Sequence, residues 1–267
     1  MAETFDWRSP DSDHAFAEHG RSAFAWEFLR RNPAYRQQRA ALLAQVQGGK
    51  LRRSRMETAL ARCWGVIAAP DPDETDPQQV LWRVDLDPAC IPLLPALRGA
   101  GLAGGFRLDL KRLPHRWSGP LGRYHASVDG RIRVWLASDR ENASLAVLLP
   151  IDTALPARVQ AAMQLAPHPR ALRCLSYNRL TAFQRWRLPR LIRALDGHMQ
   201  GATSRQIGAA IFGLDIAALP RVLWSCHSAR KQIARLVRGG MALRDGGYLL
   251  LLRGGRNQGR SSPRGKA

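Results

Sequence analysis

The sequence predicts a protein that is mainly α with a small β component, an α+β class. Three observations carry this. Apolar residues recur at helical spacing near both ends of the chain, as at Leu188, Leu191, Ile192 and Leu195. Strand-like alternation is confined to the middle, on either side of an Asp129-Gly130 turn signal. Gly and Pro punctuate the helical stretches at Asn32-Pro33, Gly48-Gly49, Gly201, Gly213 and Gly239-Gly240.

Taken in order, residues 22–31 read as a helix. Its Phe24, Trp26 and Phe28 are too closely spaced for one narrow stripe, so several of its sides are expected to pack. Asn32-Pro33 ends it, and a second helix starts at Pro33 with Tyr35, Leu42, Leu43 and Val46. The basic run 50–55 reads first as a solvated surface and second as a phosphate contact. Residues 63–69 and 80–84 read as short strands. Between them, residues 70–77 hold three prolines, four carboxylates and no apolar residue, a linker composition without calcium-loop spacing.

Residues 88–120 are rich in Pro and Gly and carry no readable period. The stretches 124–128 and 131–136 form a hairpin about Asp129-Gly130, residues 144–149 add a strand, and 156–165 add a helix. This divides the chain into a helical region 1–84, a small α/β module 85–169, a helical region 170–253 and a basic tail 254–267 expected to be disordered. The α/β module reads as a dimerisation or ligand-sensing element, or equally as a packing spacer.

The last helical region has a specific order. A helix over 188–195 is weakened at Asp196-Gly197. Thr203 or Ser204 then caps a second helix carrying Ile207, Ala210 and Ile211, with Gly213 suited to its C-terminal end. A third helix over 221–238 places Val222, Cys226, Ala229, Ile233, Leu236 and Val237 on one side. Trp224, His227, Ser228, Lys231, Arg235 and Arg238 lie on the other. Gly239-Gly240 is expected to stop it. Residues 241–243 and 248–252 then flank a turn at 244–247, which reads as a β-hairpin wing. Helix, capped helix, basic helix and hairpin is the order of a winged helix-turn-helix-like domain. Three punctuated amphipathic helices also describe an ordinary bundle, so charge has to arbitrate.

The chain of 267 residues carries 41 Lys and Arg against 21 Asp and Glu, a net +20. From residue 170 onward there are 19 cations and 3 carboxylates, so +16 of that charge sits in the last region. A one-signed region of this size points to a polyanion, double-stranded DNA first and an acidic membrane surface second. No apolar run approaches the ~20 residues of a membrane span. The start of the chain lacks a signal peptide's basic and apolar regions, so a cytoplasmic, nucleoid-associated location is expected.

Cys63, Cys90, Cys174 and Cys226 lack zinc-site spacing. There is no phosphate-binding Gly-rich loop, His-Glu-x-x-His or Gly-x-Ser-x-Gly, and the seven histidines are dispersed. No enzyme activity, metal or cofactor is expected.

The motifs together resemble a known family. Phe24-Ala25-Trp26-Glu27-Phe28 leading to Asn32-Pro33-Ala34-Tyr35-Arg36 is the most specific match, with Trp7-Arg8, Trp64-Gly65, Asp71-Pro72-Asp73 and Leu81-Trp82-Arg83. Later come Leu149-Pro150-Ile151-Asp152, Leu188-Pro189-Arg190-Leu191, Gly201-Ala202-Thr203-Ser204-Arg205-Gln206-Ile207, Ile211-Phe212-Gly213 and Gly246-Gly247-Tyr248. Over about residues 5–253 the chain resembles the FseA-type transcriptional activators of proteobacterial integrative and conjugative elements. It departs from them at residues 47–62 and 220–226.

The resemblance implies a C-terminal variant helix-turn-helix. It also implies activation of excision and conjugative-transfer genes, with RNA polymerase and an antiactivator protein as partners. An antiactivator-like interaction module without specific DNA binding is the alternative. A homodimer would predict half-sites about one helical turn apart.

On this reading Ser228, Lys231 and Arg235 face the major groove, with His227 and Arg238 beside them. Thr203, Ser204, Arg205 and Gln206 hold phosphate at a helix N-terminus, and Arg244 reaches the DNA backbone from the wing.

Overall fold

A computed structural model describes residues 5–77, 79–96, 113–127, 132–136, 145–165, 180–213 and 215–254. The chain is α+β, with ten α-helices and one five-stranded sheet among these residues. The basic tail from 255, the first part of the expected helical region 170–253 up to 179, and the turn at 128–131 lie outside them.

A 3-10 turn, Pro10–Phe16, precedes α1 (Arg21–Leu29). Residues Ser22 to Leu29 of α1 are all buried, as the crowded aromatic spacing predicted. A helix this apolar belongs inside a core. Asn32 ends it and starts α2 (Pro33–Gln47), its Oδ1 accepting from the N–H groups of Ala34 and Tyr35.

Helix α3 (Arg53–Trp64) absorbs the first part of the strand expected at 63–69. Gly65, at φ +80°, then turns the chain. What remains of both short strands is one antiparallel bridge, Val66 to Trp82. An apolar run of seven has no period of its own. Met56, Leu60 and Ala61, buried at helical spacing upstream, extend the helix into it. The acidic stretch after it lies back on α2: Asp71 pairs with Arg39 at 2.8 Å, Asp73 pairs with Arg36 at 2.7 Å, and Tyr35 Oη donates to Pro70 O.

The sheet comprises β1 (Cys90–Pro95), β2 (His115–Gly119), β3 (Gly122–Ala126), β4 (Arg133–Leu136) and β5 (Leu145–Val147), in the order β2-β3-β4-β1-β5. The expected hairpin is the antiparallel β3–β4 pair. Strands β1 and β2 come from the stretch that had no readable period. Strand β1 runs parallel to β4 and antiparallel to β5. Helix α4 (Leu155–Met163) closes a small core of Ile91, Leu93, Val134, Leu136 and Ala161.

The main core is built from both ends of the chain. Trp7, Trp26, Phe28, Tyr35 and Trp82 share it with Leu188, Ile192, Leu195, Ile233, Tyr248 and Leu252. Helix α5 (Ala182–Met199) is its spine. A Thr181–Gln184 capping box starts it, and it runs through Pro189 and the Asp196-Gly197 pair expected to weaken it. Gly197 is there for closeness: a Cβ on it would meet Ile207 at 2.9 Å and the Trp7 ring at 3.2 Å.

Helices α6 (Ser204–Phe212), α7 (Asp215–Ala218), α8 (Arg221–Cys226), α9 (Ser228–Ala242) and α10 (Tyr248–Leu252) complete the chain. Three corrections arise here. The expected third helix breaks at His227, whose extended backbone separates α8 from α9. This breaks the phase, and Val222 and Cys226 are exposed rather than continuing the apolar face. Second, Gly239-Gly240 does not stop α9 but lets α5 approach, since a Cβ on Gly240 would sit 2.8 Å from Leu191 O.

Third, there is no β wing. The Asp245-Gly246 turn forms, with Gly246 at φ +125°, but it joins two helices. Tyr248, Leu251 and Leu252 are buried at i, i+3 and i+4, the spacing of a helix docking one face.

Gly240 supports a direct prediction. An Ala in a helix interior is intrinsically better than Gly by about 1 kcal/mol. Here the added methyl meets a backbone oxygen that cannot swing away, and overpacking of that kind costs roughly 1–3 kcal/mol. Gly240→Ala is therefore expected to lower the urea midpoint; a rise would mean α5 and α9 can separate at no cost.

Candidate nucleic-acid interface

Helices α5, α6 and α9 pack on one another, which holds α9 on a rigid base. Helix α6 begins with a full capping box: Thr203 Oγ1 accepts from Gln206 N, and Gln206 Oε1 accepts from Thr203 N at 2.8 Å. Thr203, Ser204 and Gln206 are exposed at this terminus, though the Thr203 hydroxyl and the Gln206 amide oxygen are occupied by the cap. Arg205 is half-buried and donates to Leu219 O, tying α6 to the segment before α8.

At the start of α9, His227 Nδ1 accepts from Ala229 N at 3.2 Å, a side-chain cap that uses the unprotonated nitrogen. Its ring lies nearly parallel to Trp224, with centroids 6.3 Å apart. Trp224 is half-buried over Gly208, where a Cβ would approach the indole to 3.2 Å. Trp224 and His227 thus brace α9 against α6.

Along α9, Ala229, Ile233, Leu236 and Gly240 face the core. Ser228, Lys231, Arg235 and Arg238 are exposed on the outward side. At 100° per residue, Lys231, Arg235 and Arg238 fall within roughly 60° of the helix circumference. Two further exposed cations, Arg230 on α9 and Arg221 at the start of α8, were not singled out from the sequence. Their signal was there: no carboxylate occurs anywhere in residues 216–244. Among the described residues none of these five cations forms an ion pair with a carboxylate. Arg230 donates to Ser225 O and Arg238 to Ala234 O, contacts that orient the side chains without neutralising them.

Arg244 is in a different position. With no wing to carry it, it sits in the turn between α9 and α10, where Asp245 accepts two hydrogen bonds from it at 2.7 and 2.9 Å. Those bonds raise its pKa, and its backbone carbonyl accepts from Asn32 Nδ2. The residue serves the junction between the two ends of the chain.

Among the described residues there is no group of three or more His, Cys, Asp or Glu placed to hold a metal ion. Nor is any described helix long and apolar enough to cross a membrane. What the arrangement offers is a rigid helix with an unpaired cationic face.

No curated protein matches the chain closely enough to be counted a relative. Two family models do match parts of it. Residues 6–67 match a proteobacterial transcriptional regulator-like domain. Residues 148–253 match a family described as T6SS, transcription factor, DNA binding domain. The second span contains α5 to α10 and hence the whole cationic face. An N-terminal transcriptional regulator-like domain and a C-terminal transcription-factor DNA-binding domain therefore make this chain a DNA-binding transcription regulator.

Proposed function

We propose that the chain is a sequence-specific activator of genes for excision and conjugative transfer of a mobile element. In this reading it binds its promoter DNA with α9. The observation that carries the DNA part is the acid-free outward face of α9, with Lys231, Arg235 and Arg238 exposed and unpaired on a braced helix. A solvated helix face ordinarily mixes both signs; a one-signed face suits a groove walled by phosphate. Ser228 and the α6 terminus at Thr203 and Ser204 lie on the same helical unit as further polar contacts, and Gln206 and Arg205 support them from the cap. Activation, the transfer genes, and RNA polymerase and an antiactivator as partners rest on the resemblance of the paired N- and C-terminal motifs.

The test is fluorescence anisotropy on a duplex selected from a random-sequence pool, against a scrambled duplex, across a salt series. Specific recognition predicts tight binding to the selected duplex that outlasts binding to the scrambled one as salt rises. Arg235→Ala is expected to weaken binding by roughly 1–3 kcal/mol if it reads a base. Lys231→Ala, if it holds phosphate, should lower the salt slope by about 0.9. Equal isotherms for both duplexes would remove sequence-specific reading.

A second reading, an interaction module for another protein, is favoured by one observation. Phe212, Val222 and Leu223 are exposed at the C-terminal end of α6 and on α8. A partner complex that persists at high salt, in a chain with no duplex affinity, would put that reading first.

A further inference from the structure

The exposed side of α5 carries a feature that the α9 interface leaves unused. Phe183 and Trp186 are 59% and 50% exposed, and their rings stack with centroids 6.0 Å apart. Arg187 lies over the Phe183 ring at 5.7 Å, and Arg190 over the Trp186 ring at 4.6 Å. Large aromatic rings left side by side in water lose the burial that would stabilise them. Here they hold two guanidinium groups in place.

The two arginines differ. Arg190 shares Asp13 with Arg193, at 3.4 Å each, and donates to Trp186 O. Its charge is partly balanced, one carboxylate serving two guanidinium groups. Arg187 pairs with no carboxylate among the described residues and is half-exposed. It also borders α9. A Cβ on Gly239 would lie 3.7 Å from Arg187 Nη2, so Arg187 reaches the residue next to Arg238 and one turn beyond Arg235. At Gly239, where a Cβ would also meet Leu191 Cδ2 at 2.9 Å, α5 packs close enough to set Arg187 beside the cationic face of α9.

We infer that Arg187, held over the Phe183 ring against which Trp186 stacks, is a second duplex-DNA contact that grips backbone phosphate flanking the segment met by α9. The inference rests on the DNA-binding reading of α9 and extends its footprint. Phosphate is the chemistry a lone, pre-ordered guanidinium fits: the cation–π contact fixes the planar group without consuming its N–H donors. The rings beside it fit the apolar face of a deoxyribose. A contact of this kind adds affinity and salt dependence, and adds no base preference of its own.

The experiment uses the full-length chain and the selected duplex, with dissociation constants across a salt series and hydroxyl-radical footprints. Arg187→Gln is expected to lower the slope of log K against log salt by about 0.9, the value for one phosphate contact. It should weaken binding several-fold at low salt and shorten the protected region at one flank, with the discrimination against scrambled duplex unchanged. Arg187→Lys should keep the slope. Phe183→Ala/Trp186→Ala, a pair of exposed changes, should reproduce the Arg187→Gln loss while thermal unfolding stays at the wild-type midpoint. Wild-type slope and footprint in both Arg187→Gln and the ring variant, with a reduced slope in Lys231→Gln/Arg235→Gln, would overturn the α5 contact and leave the α9 reading standing. Wild-type values in all three would overturn both.

Discussion

A chain begun at residue 85 is expected to lose cooperative unfolding, although the whole α5 to α10 region is still present. The reason is where the core lies. Trp7, Trp26, Phe28, Tyr35 and Trp82 are buried in the same cluster as Leu188, Ile192, Leu195 and Tyr248. Losing one such large side chain costs roughly 3–5 kcal/mol. Losing five exceeds the roughly 5–15 kcal/mol that holds a whole domain folded.

Polar links would go with them. Trp7 Nε1 donates to Gln200 Oε1 at 2.8 Å, Arg193 Nε to Trp7 O at 2.9 Å, and Tyr248 Oη to Trp64 O at 3.1 Å. Urea denaturation followed by circular dichroism checks this. The full chain should unfold its N- and C-terminal helices together, and the truncated chain should show a broad, weak transition with no specific duplex binding. A truncated chain with the full-length midpoint would mean the C-terminal helices are self-sufficient.

The largest single-residue effect is expected at Arg31. Its Nε and Nη2 donate to the two oxygens of Asp196 at 2.7 and 2.8 Å, a bidentate bond from the end of α1 to α5. Its Nη1 donates to Glu27 O at 2.8 Å and to the Glu27 carboxylate. Burial works against the Arg31 charge, but Glu27 and Asp196 outweigh it and its pKa is raised. Removing one partner of a buried ion pair leaves uncompensated charge and costs roughly 3–5 kcal/mol. Arg31→Ala is expected to lose that much, measured as a shift in the urea midpoint at constant slope. A loss under about 1 kcal/mol would place the group in the class of exposed ion pairs.

Acid should reveal the same cluster. Burial would raise the Glu27 carboxyl, yet the His19 imidazole 3.7 Å away and the charges of Arg31 and Arg30 bring it down from 4.5 to about 2. A carboxyl depressed in the folded state adds stability above its unfolded pKa. That stability is lost as pH falls through the folded value. The window is therefore pH 4.5 down to 2, and the loss is on the order of 3 kcal/mol. Arg31→Ala should flatten this acid limb. An unchanged limb in the variant would show that Glu27 is not held down by Arg31.

The sequence by itself determined what depends on near neighbours. The Asn32-Pro33 break, the Thr203 cap, the apolar faces of α5, α6 and α9 and the β3–β4 hairpin are each set by residues within a turn or two of one another. The same holds for the outward cluster Lys231, Arg235 and Arg238, because a helix face is a matter of spacing. Charge counting added the +16 carried by the region from residue 170 in which they lie.

Tertiary structure decided the rest. Tyr248-Leu249-Leu250-Leu251-Leu252 has no period, so strand and helix were equally written in it until docking on α1 chose the helix and removed the wing. Gly239-Gly240 reads locally as a stop. Only Leu191 of α5, pressing to within a methyl's reach, shows it to be a close-packing site, and only that contact places Arg187 beside α9. The joining of the two ends of the chain through Trp7, Arg31 and Asp196 is also beyond local reading. It pairs residues far apart in the chain, and no propensity, cap or spacing records which distant surface will cover an apolar face.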